Sequence, residues 1–187
     1  LMNDRIKESA KTIKELKEKK AKVVVISHQS RPEKKDFLSL KQHSKLLNKL
    51  VKIKFVKDIT GTKAINEISK LRSGEAILLE NIRMQKDEFR PEKNKKNKLY
   101  KLIQLGDIYV NDSFSVCHRK HSSIVLFPKY LKSCAGRLLE KEVKALKKIK
   151  IKKSLYILGG AKPKDNIKLL KGNKVLACGL FAQLCLI

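Results

Sequence analysis

The sequence predicts an α/β protein built on parallel sheets, and three observations support this fold class. Short β-branched apolar runs such as residues 22–26 (KVVVI) are typical of strands that are buried on both faces. Segments with apolar residues three to four positions apart alternate with these runs and predict amphipathic helices. The connections are short, so successive strands should form right-handed βαβ units. We therefore expect a parallel sheet with helices, and the charged stretch 140–153, which lacks Gly and Pro, could join two lobes.

The individual elements follow from the same periodicities. A first helix over residues 5–20 has Ile6, Ala10 and Ile13 on one face. Further helices are predicted over residues 39–50, 63–71, 97–105, 138–149 and 165–170. Strands are predicted over residues 22–26, 51–56, 75–79, 107–111, 154–158 and 174–178. The polar, basic stretch 85–98 contains Pro91 and is expected to be an exposed loop.

The charge balance first suggests a polyanionic partner. Of 187 residues, 45 are Lys or Arg and 18 are Asp or Glu, which gives a net charge of +27. Aromatic residues make up 5% and Trp is absent, which argues against a platform for stacking bases. A nucleic-acid-binding module remains an alternative, although the lysines are spread over every predicted helix. With 42% hydrophobic residues, the chain is expected to fold.

Several classes of protein are disfavoured. The longest apolar stretch, residues 175–187, is shorter than the roughly 20 residues that span a membrane. The first residues show no apolar signal-peptide region, so a cytoplasmic protein is expected. The four cysteines lack CxxC spacing, which predicts no zinc site and suggests buried, reduced thiols. No Ser/His/Asp or Cys/His order supports nucleophilic catalysis, and no metal site is expected.

The residues that follow the predicted strands indicate where chemistry takes place. Ligands of parallel α/β sheets bind beyond the carboxyl ends of the strands. Arg31, Arg83 and Arg119 follow three different strands, and these are three of only seven arginines in the chain. The guanidinium fork binds phosphate or carboxylate with two hydrogen bonds, which Lys cannot do. This placement predicts a pocket for a small, multiply charged anion.

Histidines and a glycine turn extend this candidate site. His28, His118 and His121 lie beside the arginines and suit hydrogen bonding to an anion more than metal ligation. Gly159, Gly160 and Lys162 form a GGAK turn after another strand, where the backbone can approach a phosphate. The turn lacks the complete GxxxxGK[ST] pattern and is weak evidence by itself.

Five collinear strings make the sequence resemble the phosphoglycerate kinase family over nearly its whole length. They are SHQSRP (27–32), LLENIRM (78–84), GDIYVNDSFSVCHRKHSS (106–123), AGRLLEKEVKAL (135–146) and LGGAKPKDNI (158–167). The first and fourth are more similar to the archaeal branch than to the bacterial or animal one. The resemblance implies reversible phosphoryl transfer between 1,3-bisphosphoglycerate with ADP and 3-phosphoglycerate with ATP. It also implies Mg²⁺ with the nucleotide, a monomer, and neither nucleic acid nor a membrane as partner.

The resemblance also implies roles for individual residues. Arg5 and Lys162 are expected to stabilise the transferring phosphoryl group. The substrate-binding residues would be Arg5, His28, Gln29, Ser30, Arg31, Arg83 and Arg119. The nucleotide-binding residues would be Gly159, Gly160, Lys162 and Asn166.

The chain also departs from the family pattern. A first strand carrying Asp-x-Asn is expected before Arg5, and the NGP and GGGD segments of the nucleotide lobe are expected after Ile187. Asn166 stands where many members have a second lysine, and Met84 replaces an aromatic residue. The resemblance therefore predicts a fragment with little activity by itself, in which most of the nucleotide and metal site lies outside this chain. A non-catalytic anion-binding remnant is the remaining alternative.

The resemblance also implies the architecture, a Rossmann-like, three-layer lobe followed by the first βαβ unit of a second lobe, and the domain boundaries. Residues 1–139 would form the triose-phosphate lobe without its first strand. Residues 140–153 would form a connecting helix, and residues 154–187 would begin the nucleotide lobe.

Overall fold

The structure, a computed structural model, describes residues 4–149, 154–160 and 167–186. The chain divides into two units, the first ending at Val143 and the second beginning at Lys144. The α-helices are α1 (Asp4–Glu18), α2 (Lys41–Leu47), α3 (Thr62–Ser69), α4 (Tyr100–Gln104), α5 (Ser122–Val125), α6 (Phe127–Tyr130), α7 (Arg137–Lys147) and α8 (Gly179–Cys185). The strands are β1 (Val23–Val25), β2 (Lys54–Val56), β3 (Ala76–Leu79), β4 (Ile108–Asn111), β5 (Lys132–Ala135), β6 (Leu155–Leu158) and β7 (Lys174–Ala177).

All strand pairs of the described residues are parallel, as the sequence predicts. In the first unit, β1, β3 and β2 lie side by side in that order, with Val24 opposite Ile77 and Phe55 opposite Leu78. The strands β4 and β5 form a second pair in the same unit. In the second unit, β6 pairs with β7. The α/β fold class is confirmed, and among the described residues no helix is both long and apolar enough to cross a membrane.

The central strand β3 explains why the first unit has three layers. Successive side chains of a strand point to opposite faces, and all four β3 residues are buried. Ile77 and Leu79 join a core cluster with residues from α3 and α4, whereas Ala76 and Leu78 join a second cluster with residues from α1 and α2. Helices therefore cover both faces of this sheet, as its continuous apolar runs indicate.

Several boundaries and environments differ from the prediction. The strand β5 and the helix α8 were not expected, because Lys132–Ala135 has no apolar run and the apolar stretch after residue 175 shows no clear periodicity. The predicted helix over residues 165–170 is the short 3₁₀ turn Ile167–Leu169 in its described part. The helix α7 extends to Lys147, and residues 150–153 of the predicted connecting helix lie outside the described residues.

Two predicted environments are wrong. The stretch 85–98 is not a simple exposed loop, because it forms 3₁₀ turns and its Asp87, Glu88 and Asn97 are 4%, 1% and 2% exposed. Its exposed residues are mostly basic, with Phe89 and Glu92 as the exceptions. The thiols are free but not buried: Cys178 is half-buried, and the other three cysteines, Cys117, Cys134 and Cys185, are exposed. Their strands and loops have an open side, which apolar sequence surroundings do not reveal.

The start of α7 is tied to α1 and to the end of β4. The carboxylate of Asp112, which follows β4, accepts hydrogen bonds from the backbone N–H groups of Leu138 and Leu139 at 2.8 and 3.3 Å. The Arg137 side chain forms two hydrogen bonds with Glu15 of α1, at 2.6 and 2.7 Å. These hydrogen bonds hold the pKa of Glu15 at about 2. The first helix and the end of β4 are thereby fixed relative to each other.

Replacing Asp112 with Ala is expected to lower the free energy of unfolding by about 1 kcal/mol, because two N–H groups of the first turn of α7 lose their acceptor. Urea denaturation measures this change. Asp107→Ala is the matched control, since Asp107 is exposed at the other end of the same strand. Equal stability of both variants would contradict the capping role of Asp112.

Candidate anion-binding site

The candidate site lies where three strands of the first unit end. The chain after β1 carries His28 and Arg31, the chain after β3 carries Arg83, and the chain after β4 carries Arg119. Because β1 and β3 are parallel neighbours, their carboxyl ends lie at the same edge of the sheet. The backbone N–H of Ile82 donates a hydrogen bond to the carbonyl of Ser27 at 3.0 Å and joins the first two loops directly.

Electrostatic repulsion shows that these basic groups converge. Burial lowers the pKa of His28 to about 4, and Arg83, His121, Arg119 and Arg5 add to this effect. The pKa of Arg83 is lowered by burial and then by Arg119 and Arg31. His28, Arg83 and His121, together with the basic groups that lower their pKa values, make up a cationic cluster of seven side chains: Arg5, His28, Arg31, Arg83, His118, Arg119 and His121.

His121 belongs to the centre of this cluster. Its pKa is lowered by burial and by three arginines of the cluster, Arg83, Arg119 and Arg31. Its ring meets the edge of the Phe89 ring, with 5.2 Å between the ring centroids. The positive charges of the arginines in the cluster attract a negatively charged ligand, whose binding would reduce their repulsion.

Arg83 is the buried member of the cationic cluster. It is 6% exposed, and its Nη1 donates a hydrogen bond to the carbonyl of Ser30. Its Nε is buried and makes no hydrogen bond within the described residues. An unpaired buried donor is costly, so this guanidinium has spare hydrogen-bonding capacity for a ligand.

The loop after β1 is held in place by residues that follow β3. The side-chain amide of the fully buried Asn81 donates hydrogen bonds to the carbonyls of Gln29 and Leu38, at 2.9 and 3.0 Å. The carboxylate of Glu80 accepts hydrogen bonds from the Ser39 hydroxyl and the Leu40 N–H, at 2.7 and 2.9 Å. Both ends of the loop are therefore fixed to one short segment.

Ser30 has an unusual backbone conformation within this loop. Its φ is +57°, a left-handed value that only a few per cent of residues other than Gly adopt. Its hydroxyl donates a hydrogen bond to Asp36, and its carbonyl accepts one from Arg83. These bonds compensate for the strain and fix the turn between Gln29 and Arg31.

The loop after β4 is attached to the same region of the chain. The carbonyl of Asp87 accepts hydrogen bonds from the hydroxyl of Ser122 and the amide of Asn97, at 2.6 and 2.8 Å. The carboxylate of Glu88 accepts two hydrogen bonds from Ser123. The segment 80–97 therefore braces both loops that carry the cationic cluster.

The residues of segment 80–97 that form these hydrogen bonds differ in how readily the sequence predicts them. Glu80 and Asn81 follow a predicted strand and could be noticed there. Asp87, Glu88 and Asn97 could not, because they lie in a basic stretch without periodicity. Their one signal is that acidic and amide groups interrupt a run of lysines.

Arg5, in the first unit, and the glycine turn, in the second unit, are the remaining residues predicted from the sequence. Arg5 is exposed in the first turn of α1 and acts electrostatically on His28. Gly160, in the second unit, has φ +95°, which strongly favours glycine. A Cβ built on Gly159 would lie 3.4 Å from Cys178. Lys162 and Asn166 lie outside the described residues, and within those residues no cluster of three His, Cys, Asp or Glu could hold a metal ion.

The lowered pKa of His28 predicts that acid destabilises the fold. The unfolded state, with a His pKa near 6.5, binds more protons than the native state between pH 6.5 and about 4. The free energy of unfolding should therefore fall as the pH decreases from 7 to 5, and His28 should contribute on the order of 1 kcal/mol to this loss. Urea denaturation at both pH values measures it.

His28→Gln should reduce this pH dependence, whereas His118→Gln, which changes an exposed histidine of the same cluster, should leave most of it. If the two variants showed the same pH dependence as the original chain, burial of a neutral His28 would be contradicted.

Comparison with known proteins gives a consistent result. The model of the phosphoglycerate kinase family matches residues 1–186. The phosphoglycerate kinase of Sulfurisphaera tokodaii is 44% identical over 98% of this chain and 48% of its own length. That of Methanothermus fervidus is 39% identical over 100% of this chain and 49% of its own length. The chain thus spans about half the length of the curated relatives it matches.

Solved structures agree. The phosphoglycerate kinase of Pyrococcus horikoshii matches with a TM-score of 0.84 and 32% identity, over 98% of this chain and 51% of that one. The phosphoglycerate kinase of Coxiella burnetii gives a TM-score of 0.73 and 32% identity, over 96% of this chain and 47% of that one. The match to the family model over nearly the whole sequence, together with relatives above 30% identity, shows that the chain belongs to the phosphoglycerate kinase family.

Proposed function

We propose that the first unit binds the triose phosphate of the phosphoglycerate kinase reaction, 3-phosphoglycerate or 1,3-bisphosphoglycerate. The observation that carries this proposal is the cationic cluster, in which basic side chains from α1 and from three strand ends act electrostatically on buried Arg83 and His28. These ligands are small and carry a phosphate together with a carboxylate or an acyl phosphate. Several converging cations match two anionic groups at once, whereas a single surface lysine does not.

The individual contacts follow from geometry and charge. Arg83 offers its unpaired Nε, and the exposed guanidinium of Arg31 lies in the same cluster. His28, with its lowered pKa, is neutral at pH 7 and offers one N–H donor and one acceptor. Arg119 approaches from the loop after β4. Gln29 and Ser30 support the turn that presents Arg31, and in this proposal they complete the substrate-binding set.

The proposed reaction moves one phosphoryl group from the acyl phosphate of 1,3-bisphosphoglycerate to the β-phosphate of ADP. The bond between the carboxyl oxygen and phosphorus breaks, a bond between the ADP oxygen and phosphorus forms, and 3-phosphoglycerate and ATP result. Such transfers need positioning and charge neutralisation rather than a covalent intermediate. In this proposal Arg5 and Lys162 supply fixed positive charge to the transferring group.

The second unit is proposed to begin the nucleotide lobe. Gly159 and Gly160 follow β6 at an exposed turn, where the backbone can approach a phosphate closely. Lys162 and Asn166 would extend this contact toward the nucleotide phosphates. Mg²⁺, when bound with the nucleotide, would reduce the charge of its phosphates. The described residues offer no acidic cluster for the ion, so no step is assigned to it.

The proposed domain organisation follows from the family. Residues 1–139 are assigned to the triose-phosphate lobe, residues 140–153 to the connecting helix, and residues 154–187 to the start of the nucleotide lobe. Since the relatives are about twice as long, we expect these 187 residues to bind the triose phosphate but to turn over slowly by themselves. A monomeric protein of the cytoplasm, with no nucleic acid or membrane partner, completes the proposal.

Isothermal titration of this chain with 3-phosphoglycerate tests the proposed ligand. Arg31→Ala is expected to weaken binding by roughly tenfold or more, because a charge-assisted, two-bond contact is lost. Arg31→Lys should bind with intermediate affinity, since the charge stays but the planar fork is lost.

Arg72→Ala is the matched control for this titration. Arg72 is exposed and lies before β3, at the opposite end of the strand from Arg83, where it pairs with Glu75. Its replacement should leave the affinity unchanged. An original chain that does not bind 3-phosphoglycerate, or equal losses at both arginines, would contradict the assignment.

A further inference from the structure

Glu88 is a buried carboxylate beside the cationic cluster, and none of the proposed binding roles involves it. It lies in the 3₁₀ turn Lys86–Phe89 and is 1% exposed. Burial raises the pKa of its carboxyl group, which reflects the cost of removing a charge from water. A carboxyl group at such a place must be compensated by hydrogen bonds.

The compensation comes from one residue of the loop after β4. Glu88 accepts a hydrogen bond from the Ser123 backbone N–H at 3.0 Å and one from the Ser123 hydroxyl at 2.6 Å. Each of the two carboxylate oxygens therefore accepts one hydrogen bond from Ser123. Ser123 lies in α5, whose first turn directly follows the HRKH sequence with Arg119 and His121.

Further contacts fix the same loop to the turn of Glu88. The Nδ1 atom of His121 lies 3.7 Å from a carboxylate oxygen of Glu88, and the His121 ring meets the edge of Phe89. The neighbouring carbonyl of Asp87 accepts the hydroxyl proton of Ser122. Among the charged groups that act on the pKa of Arg83, Glu88 is the one that raises it, whereas Arg119 and Arg31 lower it.

We propose that Glu88 is a positioning residue for the triose phosphate. Its two hydrogen bonds to Ser123 set the place of the loop that carries Arg119 and His121, so that these side chains face Arg83. Glu88 itself carries no positive charge and would not contact the anion. The inference rests on the proposed ligand but adds a residue outside the cationic cluster to its site.

If Glu88 had only an electrostatic role, replacing it would change the affinity for an anion in the opposite direction. If Glu88 only added negative charge near the pocket, its removal would make the pocket more positive and tighten the binding of an anion. If Glu88 positions the loop, removal of its oxygens weakens binding although the pocket becomes more positive. The direction of the change in affinity therefore distinguishes the two roles.

Two substitutions separate the hydrogen bonds from the charge. Glu88→Ala removes both. Glu88→Gln removes the charge, but its amide oxygen can accept the Ser123 N–H while the Ser123 hydroxyl turns to accept from the amide nitrogen. Glu92→Ala is the matched control, because Glu92 is exposed in the next turn of the same segment.

The test is titration of the complete chain with 3-phosphoglycerate, at a temperature well below the unfolding midpoint of each variant. We expect Glu88→Ala to weaken binding roughly tenfold, Glu88→Gln to stay within about threefold of the original chain, and Glu92→Ala to be unchanged. Unchanged or tighter binding by Glu88→Ala would overturn the proposal. If Glu88→Gln bound as weakly as Glu88→Ala, the hydrogen bonds to Ser123 would not be what positions the loop.

Two further measurements keep the outcome decisive. If Glu88→Ala does not fold, Ser123→Ala takes its place, since it keeps the charge and the backbone bond but loses the 2.6 Å hydroxyl bond. It should then bind roughly threefold more weakly, and unchanged affinity would refute the positioning role. If the original chain does not bind 3-phosphoglycerate, the proposed function fails. If it binds and Glu88→Ala binds equally well, this inference alone fails.

Discussion

The repulsion between like charges at the strand ends is the constraint to which the rest of the site responds. The pKa values of His28, Arg83 and His121 are lowered by burial and then by basic groups from three loops and one helix. The positive charges of the arginines among them repel one another. Residues 80–97 counteract this repulsion. Their buried neutral and acidic side chains and their backbone form hydrogen bonds with the loop after β1 and with the loop after β4. The central strand β3 anchors this segment because all of its side chains are buried.

This arrangement explains which parts the sequence predicts well. The apolar run of β3 is a buried strand, as predicted, and parallel pairing with β1 places the residues after both strands at one edge. The positions of His28, Arg31, Arg83 and Arg119 follow from this logic, and the structure brings them together. The resemblance to phosphoglycerate kinase reaches the same residues independently, and the family is confirmed.

The features that the sequence does not predict are those that hydrophobic patterns do not mark. Glu88 and Asn97 are buried polar residues that hydrogen-bond to neighbouring segments. The hydrophobic periodicity of the sequence does not indicate such hydrogen bonds. The strand β5 is exposed at all four residues, so no apolar pattern marks it. The exposed thiols lie in a strand with an open side (Cys134), after a 3₁₀ turn (Cys117) and at the end of a helix (Cys185), and apolar neighbours in sequence do not reveal such exposure. The net charge of +27 is also misleading, since the chemically informative cations are the few at strand ends.

The central claim is that one small anion binds where the three loops meet. A crystal structure of this chain with 3-phosphoglycerate tests it most directly. We expect ligand oxygens within hydrogen-bond distance of Arg83 and of at least one of His28, Arg31 and Arg119. A ligand bound only among lysines away from the strand ends, with Arg83 still unpaired, would contradict it.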